Sequence, residues 1–324
     1  MTVLLTGGAG FIGSHLADRL LAMGQTVHIL DNFYHNYNPE QKRRNVRSSL
    51  CHTAYHLHEG DIRDTAMLRA LFYKHSFDIV VHLAAIPGVQ PSFQQCDEYM
   101  DVNVTGTYNL LESMRQFGVK RLVFGSSSSV YGETAPLPLR EDYTSVQPIS
   151  PYAQSKHQAE KLCLQYHNYG IETACLRFFT VYGPRQRPDM AIPLFLKSLL
   201  YNHPITIYGE GSSRDYTYVS DIVEGICNAI QHHKGFDVYN IGSGKPISIR
   251  KLIKTMEAIT GRQTLVLQGQ NRRGDVTHTW SDLTKSRKEL MYQPTMTIWE
   301  GLTKTMTYLK EYTDSLDSIA SMNF

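Results

Sequence analysis

The chain has 324 residues, of which 42% are hydrophobic and 19% charged, so it is long enough for two lobes or for one large domain with an appended one. Its formal net charge of +2 gives no reason to expect nucleic acid or a membrane surface as a partner, and no apolar run approaches the ~20 residues that span a bilayer. The five cysteines are scattered without paired spacing, which favours reduced thiols in a cytoplasmic protein over a disulfide framework.

The first predicted elements are a strand over residues 3–5, a glycine-rich turn and an amphipathic helix over 11–23. Between them, Gly7, Gly10 and Gly13 would let the chain reverse, let the backbone approach a pyrophosphate, and let the helix pack closely against the strand. The helix N-terminus offers unpaired N–H groups and the positive end of its dipole to phosphates. This order of elements predicts a dinucleotide-binding site.

The second predicted strand ends at Asp31, eighteen positions after Gly13. A carboxylate at this spacing accepts hydrogen bonds from the adenosine ribose and repels a 2′-phosphate, so we predict NAD rather than NADP as the cofactor. Arg43, Arg44 and Arg47 follow in a polar segment that we expect to be irregular up to about residue 50. These arginines could hold a phosphate, but a solvated basic face is the favoured interpretation.

Strand and helix patterns then alternate as far as residue 178. The predicted strands cover residues 55–59, 77–83, 120–124 and 171–178, and the predicted helices cover 65–75, 99–117 and 152–169. This alternation predicts an α/β fold with a doubly wound parallel sheet of the Rossmann type. Ligands of such sheets bind at the carboxyl ends of the strands, where Asp31, Asp61, Ala84 and the serine run 126–129 fall. Asp61 could bind an adenine amino group or cap the next helix.

Beyond residue 180 prolines interrupt the pattern and the predicted elements are shorter: strands over 204–208, 216–219 and 238–241, and helices over 220–233 and 248–260. No clean linker separates the two parts of the chain. We therefore expect residues 1–179 to form the dinucleotide-binding domain, rejoined by parts of about 218–245. Residues 180–324 would mainly form a smaller, interwoven substrate lobe.

Tyr152 and Lys156 are four residues apart on a predicted helix and therefore share a face. A nearby ammonium stabilises a phenolate and lowers the pKa of a tyrosine, ordinarily near 10, toward the range of a useful base. Such a phenolate could take a proton from a sugar hydroxyl while a hydride leaves the same carbon for NAD. Ser127, at the end of the preceding strand, could bridge the phenolate and the substrate oxygen. An ordinary surface Tyr–Lys pair is the alternative.

Nearly the whole chain resembles the extended short-chain dehydrogenases/reductases, in particular the NAD-dependent nucleotide-sugar epimerase and dehydratase group. The resemblance lies in the glycine-rich turn, in Ser127 three residues before Val130, and in the Tyr152-x-x-x-Lys156 pair. The resemblance implies that Ser127, Tyr152 and Lys156 are the catalytic set. It also implies that NAD is bound by Gly7, Gly10, Phe11, Ile12, Gly13, Asp31, Asn32, Asp61, Ile62, Leu83, Ala84, Ala85, Asn103, Tyr152, Lys156 and Phe179.

The residues after the catalytic serine distinguish branches of this group. Relatives that eliminate water typically carry an acidic pair there, and nucleotide-sugar decarboxylases usually carry a glutamate. This chain has Ser128 and Ser129, which cannot act as carboxylates. The resemblance therefore implies a 4-epimerase of a UDP-sugar, which oxidises C4, lets the ketone turn over and returns the hydride to the opposite face.

The segment 176–184, with its continuation over 187–191, is similar to that of UDP-glucuronate 4-epimerases. There Thr180 and Arg187 could hold the uronate carboxylate, although Arg187 could instead only order its loop. Gln90 stands where many uronate epimerases have arginine, and Thr279 stands where some galactose-type enzymes have tyrosine. UDP-glucose and UDP-N-acetylglucosamine are therefore alternative substrates.

The resemblance also assigns the rest of the substrate site. Arg214 and Arg272 match phosphate-binding positions, Asp275 would bind the nucleotide ribose or orient Arg272, and the serines 127–129 would contact the sugar. It further implies a homodimer, in which helices 99–117 and 152–169 pair with their copies as a four-helix bundle. The fourteen histidines show no ligand spacing, so no metal is predicted. A non-catalytic NAD-binding sensor is an alternative of another class, disfavoured because the tyrosine and the lysine are both present.

Overall fold

A computed structural model describes residues 1–143, 145–209 and 211–321, with side chains up to residue 312. The strands are β1 (Thr2–Thr6), β2 (Thr26–Asp31), β3 (Tyr55–Glu59), β4 (Ile79–His82), β5 (Arg121–Ser127), β6 (Glu172–Phe178), β7 (Thr180–Tyr182), β8 (Ile205–Tyr208), β9 (Ser213–Arg214), β10 (Tyr216–Tyr218), β11 (Phe236–Ile241), β12 (Ile247–Ser248) and β13 (Val266–Gly269). The helices are α1 (Phe11–Ala22), α2 (Pro39–Arg47), α3 (Thr65–Lys74), α4 (Val89–Ser92), α5 (Cys96–Met100), α6 (Gly106–Gln116), α7 (Pro151–His167), α8 (Ala191–Leu200), α9 (Val219–His232), α10 (Ile249–Thr260), α11 (Thr284–Leu290) and α12 (Ile298–Ser321).

Seven strands form one parallel sheet in the order β11-β6-β5-β4-β1-β2-β3. The chain first builds outward from β1 through β2 to β3, and then returns so that β4 lies on the other side of β1. This reversal leaves a crevice at the carboxyl ends of β1 and β4, where open α/β sheets bind their ligands. The predicted doubly wound parallel sheet is confirmed.

Alternate residues of the strands feed two separate hydrophobic cores. On β1, Val3 and Leu5 belong to the core under α1 and α9, whereas Leu4 belongs to the core under α3 and α6. Because successive side chains of a strand point to opposite faces, an uninterrupted apolar run is what a strand covered on both faces requires. Helices on both faces thus bury the sheet and leave its carboxyl edge to form the site.

The chain after β6 adds both to the sheet and beside it. Strand β11 pairs in parallel with β6 at the edge of the main sheet, and three two-stranded sheets, β10-β7, β12-β9 and β13-β8, lie outside it. Helix α9 packs on α1, so the C-terminal part is interwoven with the first. None of the helices in the described part of the chain combines the length and the apolarity needed to cross a membrane.

The structure corrects two local predictions. The polar segment after Asp31 is not irregular throughout, because α2 forms there, with Pro39 in its first turn and the Asn38 side chain accepting from the Glu40 N–H. The predicted helix over 99–117 is divided by a π-helical turn, Asp101–Thr105, between α5 and α6. Helices α8, α11 and α12, which follow the prolines of the second half, were not predicted.

Candidate active site

A cavity of about 660 Å³ opens at the carboxyl ends of the sheet strands and continues between the sheet and the C-terminal part of the chain. It gathers residues that are far apart in sequence. Its lining includes Gly7, Gly10, Phe11, Ile12, Gly13, Asp31, Asn32, Asp61, Ile62, Leu83, Ala84, Ala85, Ser127, Ser128, Ser129, Tyr152, Lys156, Phe179, Thr180, Arg187, Arg214, Arg272 and Asp275. Of the residues predicted to bind cofactor or substrate, Asn103 alone is missing from this lining.

The glycine-rich turn connects β1 to α1 at one end of the cavity. Gly7 has φ +72°, and a Cβ there would lie 2.6 Å from the backbone nitrogen of Ala84, at the end of β4. A Cβ on Gly13 would lie 2.2 Å from the carbonyl oxygen of Gly7. Both positions therefore exclude side chains. No side chain caps the first turn of α1, so its N–H groups stay available to a phosphate at this end of the cavity.

Asp31 closes β2 and is buried. Its carboxylate accepts hydrogen bonds from the N–H groups of Ala9, at 3.0 Å, and Phe33, at 2.8 Å, which fix it beside the turn. Burial raises the pKa of Asp31, and these two bonds together with the nearby Lys42 ammonium oppose the rise. A carboxylate held at this position fits a ribose diol and not a 2′-phosphate.

The three arginines that follow Asp31 in the sequence are not placed to hold a phosphate of the cofactor. Arg43 pairs with Glu59 at 3.1 Å and lies over the Phe33 ring, and Arg44 lies over the Tyr312 ring. Arg47 is exposed. None of the three lines the cavity, which agrees with the interpretation of a solvated basic face.

Asp61 lies at the end of the cavity where the adenine is predicted to bind. It accepts hydrogen bonds from Arg63 and from Asn32 at 2.8 Å, and these hold its pKa at about 2 against the effect of burial. It does not cap the following helix: Asp64 does, accepting from the Met67 N–H at 2.9 Å. Asp61 is therefore an ordered anion at the cavity wall, and Asn32 reaches it from the end of β2.

Asn103 lies behind the cavity wall. Its buried side chain accepts from the Ile86 N–H at 2.8 Å and donates to the Ile86 carbonyl and to the Ser155 hydroxyl. These bonds fasten the loop after β4 to α7. In the structure the Asn103 side chain thus holds the wall in place, and its contact with NAD, which the resemblance implies, stays a prediction.

Ser127 ends β5, and Tyr152 and Lys156 lie in the first turns of α7, which begins at Pro151 after the capping residue Ser150. The Ser127 side chain lies beside the Tyr152 hydroxyl and lowers its pKa, and the Ser127 hydroxyl donates to that of Ser129 at 3.2 Å. The Lys156 ammonium donates to the carbonyl of Gly125 at 2.8 Å and lies 5.1 Å from the centre of the Phe124 ring. The three predicted catalytic side chains thus line the same cavity.

A buried ion pair one turn further along α7 secures this arrangement. Glu160 receives two hydrogen bonds from Arg177 on β6, at 2.9 and 2.8 Å, and a third from Ser126 at 2.5 Å. Because Glu160 follows Lys156 by one turn, the pair fixes the helix against the sheet beneath the catalytic residues. The sequence does not reveal this ion pair, since nothing local shows that a residue on a helix and one on a strand will meet.

The pKa values of Tyr152 and Lys156 are set mainly by burial. Burial lowers the pKa of Lys156 to about 8, and it raises the pKa of Tyr152, opposed by the Ser127 hydrogen bond and by the charge of Arg187. The protein alone therefore keeps the phenol protonated at neutral pH. A positive charge brought close by a bound cofactor would favour the phenolate.

On the substrate side, Arg187 is already engaged. Its guanidinium donates to both carboxylate oxygens of Asp189 and to the Pro87 carbonyl at 3.1 Å. Thr180 lies at the start of β7 and lines the same part of the cavity. The loop-ordering interpretation of Arg187 and the carboxylate-binding one are therefore both compatible with its position.

The C-terminal part contributes the other cations. Arg272 lies over the Tyr208 ring, 3.5 Å from its centre, and Arg214 donates to the Ser213 and Thr277 carbonyls. Tyr208 was not predicted to belong to the site. Its position at the carboxyl end of a short strand was the available signal.

Two positions bear on the choice of sugar. Gln90 donates to Asp275 at 3.0 Å and to the Arg273 carbonyl at 2.9 Å, so it ties the loop after β4 to the C-terminal part. Thr279 is buried, accepts from the Asp215 N–H at 3.0 Å and does not line the cavity. The size of Thr279 therefore says nothing about room for a 2-acetamido group.

Comparison with known proteins agrees with this geometry. Residues 3–242 match the model of the NAD dependent epimerase/dehydratase family. The chain is 39% identical over 319 residues to a UDP-glucuronate 4-epimerase of Thermodesulfobacterium geofontis, covering 98% of each protein.

Two solved structures are also similar over almost the whole chain. A UDP-glucuronic acid 4-epimerase from Bacillus cereus, in complex with UDP-glucuronic acid and NAD, superposes with a TM-score of 0.91 at 36% identity, covering 96% of this chain and 100% of that one. A UDP-glucose 4-epimerase from Thermotoga maritima with UDP-glucose gives a TM-score of 0.89 at 31% identity, covering 97% and 100%. The resemblance drawn from the motifs is confirmed, and the chain belongs to the NAD dependent epimerase/dehydratase family.

Proposed function

We propose that this protein is an NAD-dependent 4-epimerase that interconverts UDP-glucuronate and UDP-galacturonate. The observation that carries the proposal is the meeting of Ser127, Tyr152 and Lys156 in a cavity that begins at the glycine-rich turn. A proton-transfer group beside a dinucleotide site is what reversible oxidation of a secondary alcohol requires. The similarity to two UDP-glucuronate 4-epimerases supports the choice of reaction.

The residues present fit NAD. The turn at Gly7 and the uncapped start of α1 suit the pyrophosphate, and Asp31 suits the adenosine ribose. Asp61 and Asn32 would face the adenine end, and Tyr152 and Lys156 the nicotinamide end. When bound, NAD supplies an acceptor, and afterwards a donor, of two electrons at C4 of the sugar.

Tyr152 would take the proton from the C4 hydroxyl and later return it. Ser127, which lies beside the Tyr152 hydroxyl, would hold the substrate oxygen in line for this transfer. Lys156 would keep a positive charge close to the phenolate and bind the cofactor ribose. Ser128 and Ser129 carry no carboxylate, so they would orient the sugar and leave C5 and C6 untouched.

The two parts of the chain would divide the binding. Residues 1–179, with the portion of about 218–245 that includes β11, would hold NAD, and residues 180–324 would mainly hold the nucleotide sugar. Arg214, Arg272 and Asp275 line the cavity from the second part, where two guanidinium groups suit a diphosphate. The Tyr208 ring stacked on Arg272 would extend this wall toward the nucleotide.

The preference for a uronate rests on Arg187 and Thr180, which line the cavity where the sequence resembles the uronate epimerases. A guanidinium can bind a carboxylate through two parallel hydrogen bonds. Asp189 now occupies two donors of Arg187, so a substrate carboxylate would have to share or displace it.

A neutral UDP-sugar is the second candidate. It is favoured by Gln90, which is uncharged and bound to Asp275, and by the similarity to a UDP-glucose 4-epimerase. A non-catalytic NAD-binding sensor is the third candidate. The presence of both Tyr152 and Lys156 in one cavity disfavours it.

We also propose a homodimer through a four-helix bundle of α6 and α7 with their copies. These two helices pack against each other, and large apolar side chains stay exposed on and beside them: Tyr108, Phe117, Leu164 and Tyr169. Burial of this face in a second subunit would remove the apolar surface from water. A cytoplasmic location is proposed from the five free cysteines.

A substrate panel tests the function. Purified protein is incubated separately with UDP-glucuronate, UDP-glucose and UDP-N-acetylglucosamine, and inversion at C4 is followed by proton NMR. We expect inversion of UDP-glucuronate in preference to the others. Preference for a neutral sugar would transfer the assignment to the second candidate, and bound NAD without any turnover would favour the sensor.

A further inference from the structure

Four histidines lie together at the β2–β3 edge of the sheet, outside the cavity. His28 on β2 is the register partner of His56 on β3, and His58 is two residues further along β3, so all three share one face. His75, which ends α3, brings a fourth ring to that face. The ring of His28 lies 4.4 Å from the ring of His75 and 5.2 Å from that of His58.

Three of these rings have the geometry of a metal-ligand set. One nitrogen from each of His28, His58 and His75 lies within 4.8 Å of the other two. The closest pair, Nδ1 of His28 and Nε2 of His58, is 3.0 Å apart and shares a hydrogen bond, which a metal would replace. Zinc–nitrogen bonds of ~2.0–2.1 Å in a tetrahedral site place two ligand nitrogens about 3.4 Å apart. Small ring rotations would bring the three nitrogens to that spacing.

A second observation indicates a missing partner. The Nε2 atom of His75 is buried and has no hydrogen-bond partner in the described part of the chain. A buried polar atom without a partner points to an ion or ligand.

We propose that His28, His58 and His75 bind one Zn²⁺ ion, which ties β2, β3 and the end of α3 together. Imidazole is a favoured ligand of zinc, and three protein ligands leave a fourth position. Water or His56, whose ring lies 4.5 Å from that of His28, can fill it. None of the three ligands lines the cavity, so the ion would be structural.

The site would stabilise the strand that carries the cofactor carboxylate, because His28 precedes Asp31 by three residues on β2. Sequence spacing could not reveal it, since the ligands come from three separate elements. The proposal does not depend on the epimerase assignment.

The test uses the full chain with its dinucleotide, purified without a polyhistidine tag and stripped of metal with a chelator that is then removed. Zn²⁺ is titrated by calorimetry, and the melting temperature is measured with Zn²⁺ and with Mg²⁺. The variants are His58→Asn and His75→Asn, both at partly exposed positions, and the control is His232→Asn, exposed at the end of α9.

We expect one equivalent of Zn²⁺ per chain and a higher melting temperature in Zn²⁺ but not in Mg²⁺, which prefers oxygen ligands. Each ligand variant should bind zinc at least about tenfold more weakly, and His232→Asn should bind it like the parent. Absence of a zinc-dependent shift, or equal binding by His75→Asn and His232→Asn, would overturn the proposal. If the His58→Asn variant does not fold, as judged by circular dichroism, the result for His75→Asn decides the test.

Discussion

The carboxylate of Asp189 holds the guanidinium of Arg187 at two points, Nε to Oδ1 at 3.0 Å and Nη2 to Oδ2 at 2.5 Å. The same guanidinium faces the cavity, where the proposed uronate would bring a second carboxylate. Substrate preference therefore depends on whether Arg187 serves the loop alone or the loop and the sugar together.

Arg187→Gln distinguishes the two roles. If the guanidinium binds the uronate, its loss should raise KM for UDP-glucuronate by roughly 10- to 100-fold, the range for a hydrogen bond to a charged group, and leave KM for UDP-glucose nearly unchanged. Steady-state kinetics with both sugars measure this. The control is Arg185→Gln in the same loop, whose guanidinium pairs with Asp18 at 2.7 Å. An equal loss for both sugars would mean that Arg187 only orders its loop.

Tyr152→Phe should lower turnover by at least about 100-fold, since general acid–base catalysis typically contributes 10²–10⁴. The phenyl ring fills the same space, so the cofactor should stay bound. Turnover is followed by NMR and bound NAD by release after denaturation. Tyr169→Phe, on an exposed tyrosine just beyond α7, is the matched control. Unchanged turnover in Tyr152→Phe would remove this residue from the mechanism.

Lys156→Met should abolish activity and yet stabilise the NAD-free protein at pH 7. The folded-state pKa of Lys156 is about 8, whereas an unfolded chain holds this proton up to about 10.4. Folding below pH 8 therefore buries a charge. Lys156→Met removes the cost of burying this charge but also loses the hydrogen bond to Gly125. The net effect should raise the free energy of unfolding by on the order of 1–2 kcal/mol.

The size of this effect depends on pH. Between about pH 8 and 10.4 the buried amine becomes neutral in the folded and then in the unfolded chain, so the advantage of Lys156→Met should shrink across that window. Denaturant titrations at a series of pH values test it. Lys161→Met, exposed on the same helix, should show no such trend. A pH-independent difference between parent and Lys156→Met would contradict the explanation.

The parts of the fold that sequence could predict are those with local causes. Gly7 and Gly13 sit where any side chain would collide with backbone, and Ser150 and Ser248 cap their helices through their own hydroxyls. Strand β3 has the predicted bounds, residues 55–59. These signals act over a few residues and can be recognised without the tertiary structure.

The errors have the opposite origin. Helix α2 buries Gln41, Lys42 and Asn45 beside one apolar residue, Val46, so its inner face is mostly polar and shows no apolar periodicity. Its inward face is stabilised instead by distant partners, such as the Gln186 carbonyl that accepts from Gln41. Nor does the sequence show that the Asn103 amide binds the Ile86 backbone. Contacts of this kind exist only once the chain is folded.

In the proposed reaction, C4 of a UDP-uronate is oxidised and reduced again within one active site. To test this, the protein is incubated with UDP-glucuronate that carries deuterium at C4, and the product is analysed by NMR and mass spectrometry. We expect UDP-galacturonate that keeps the deuterium at C4, with no free reduced cofactor accumulating. Loss of the label to solvent, or absence of the inverted sugar, would rule out this reaction.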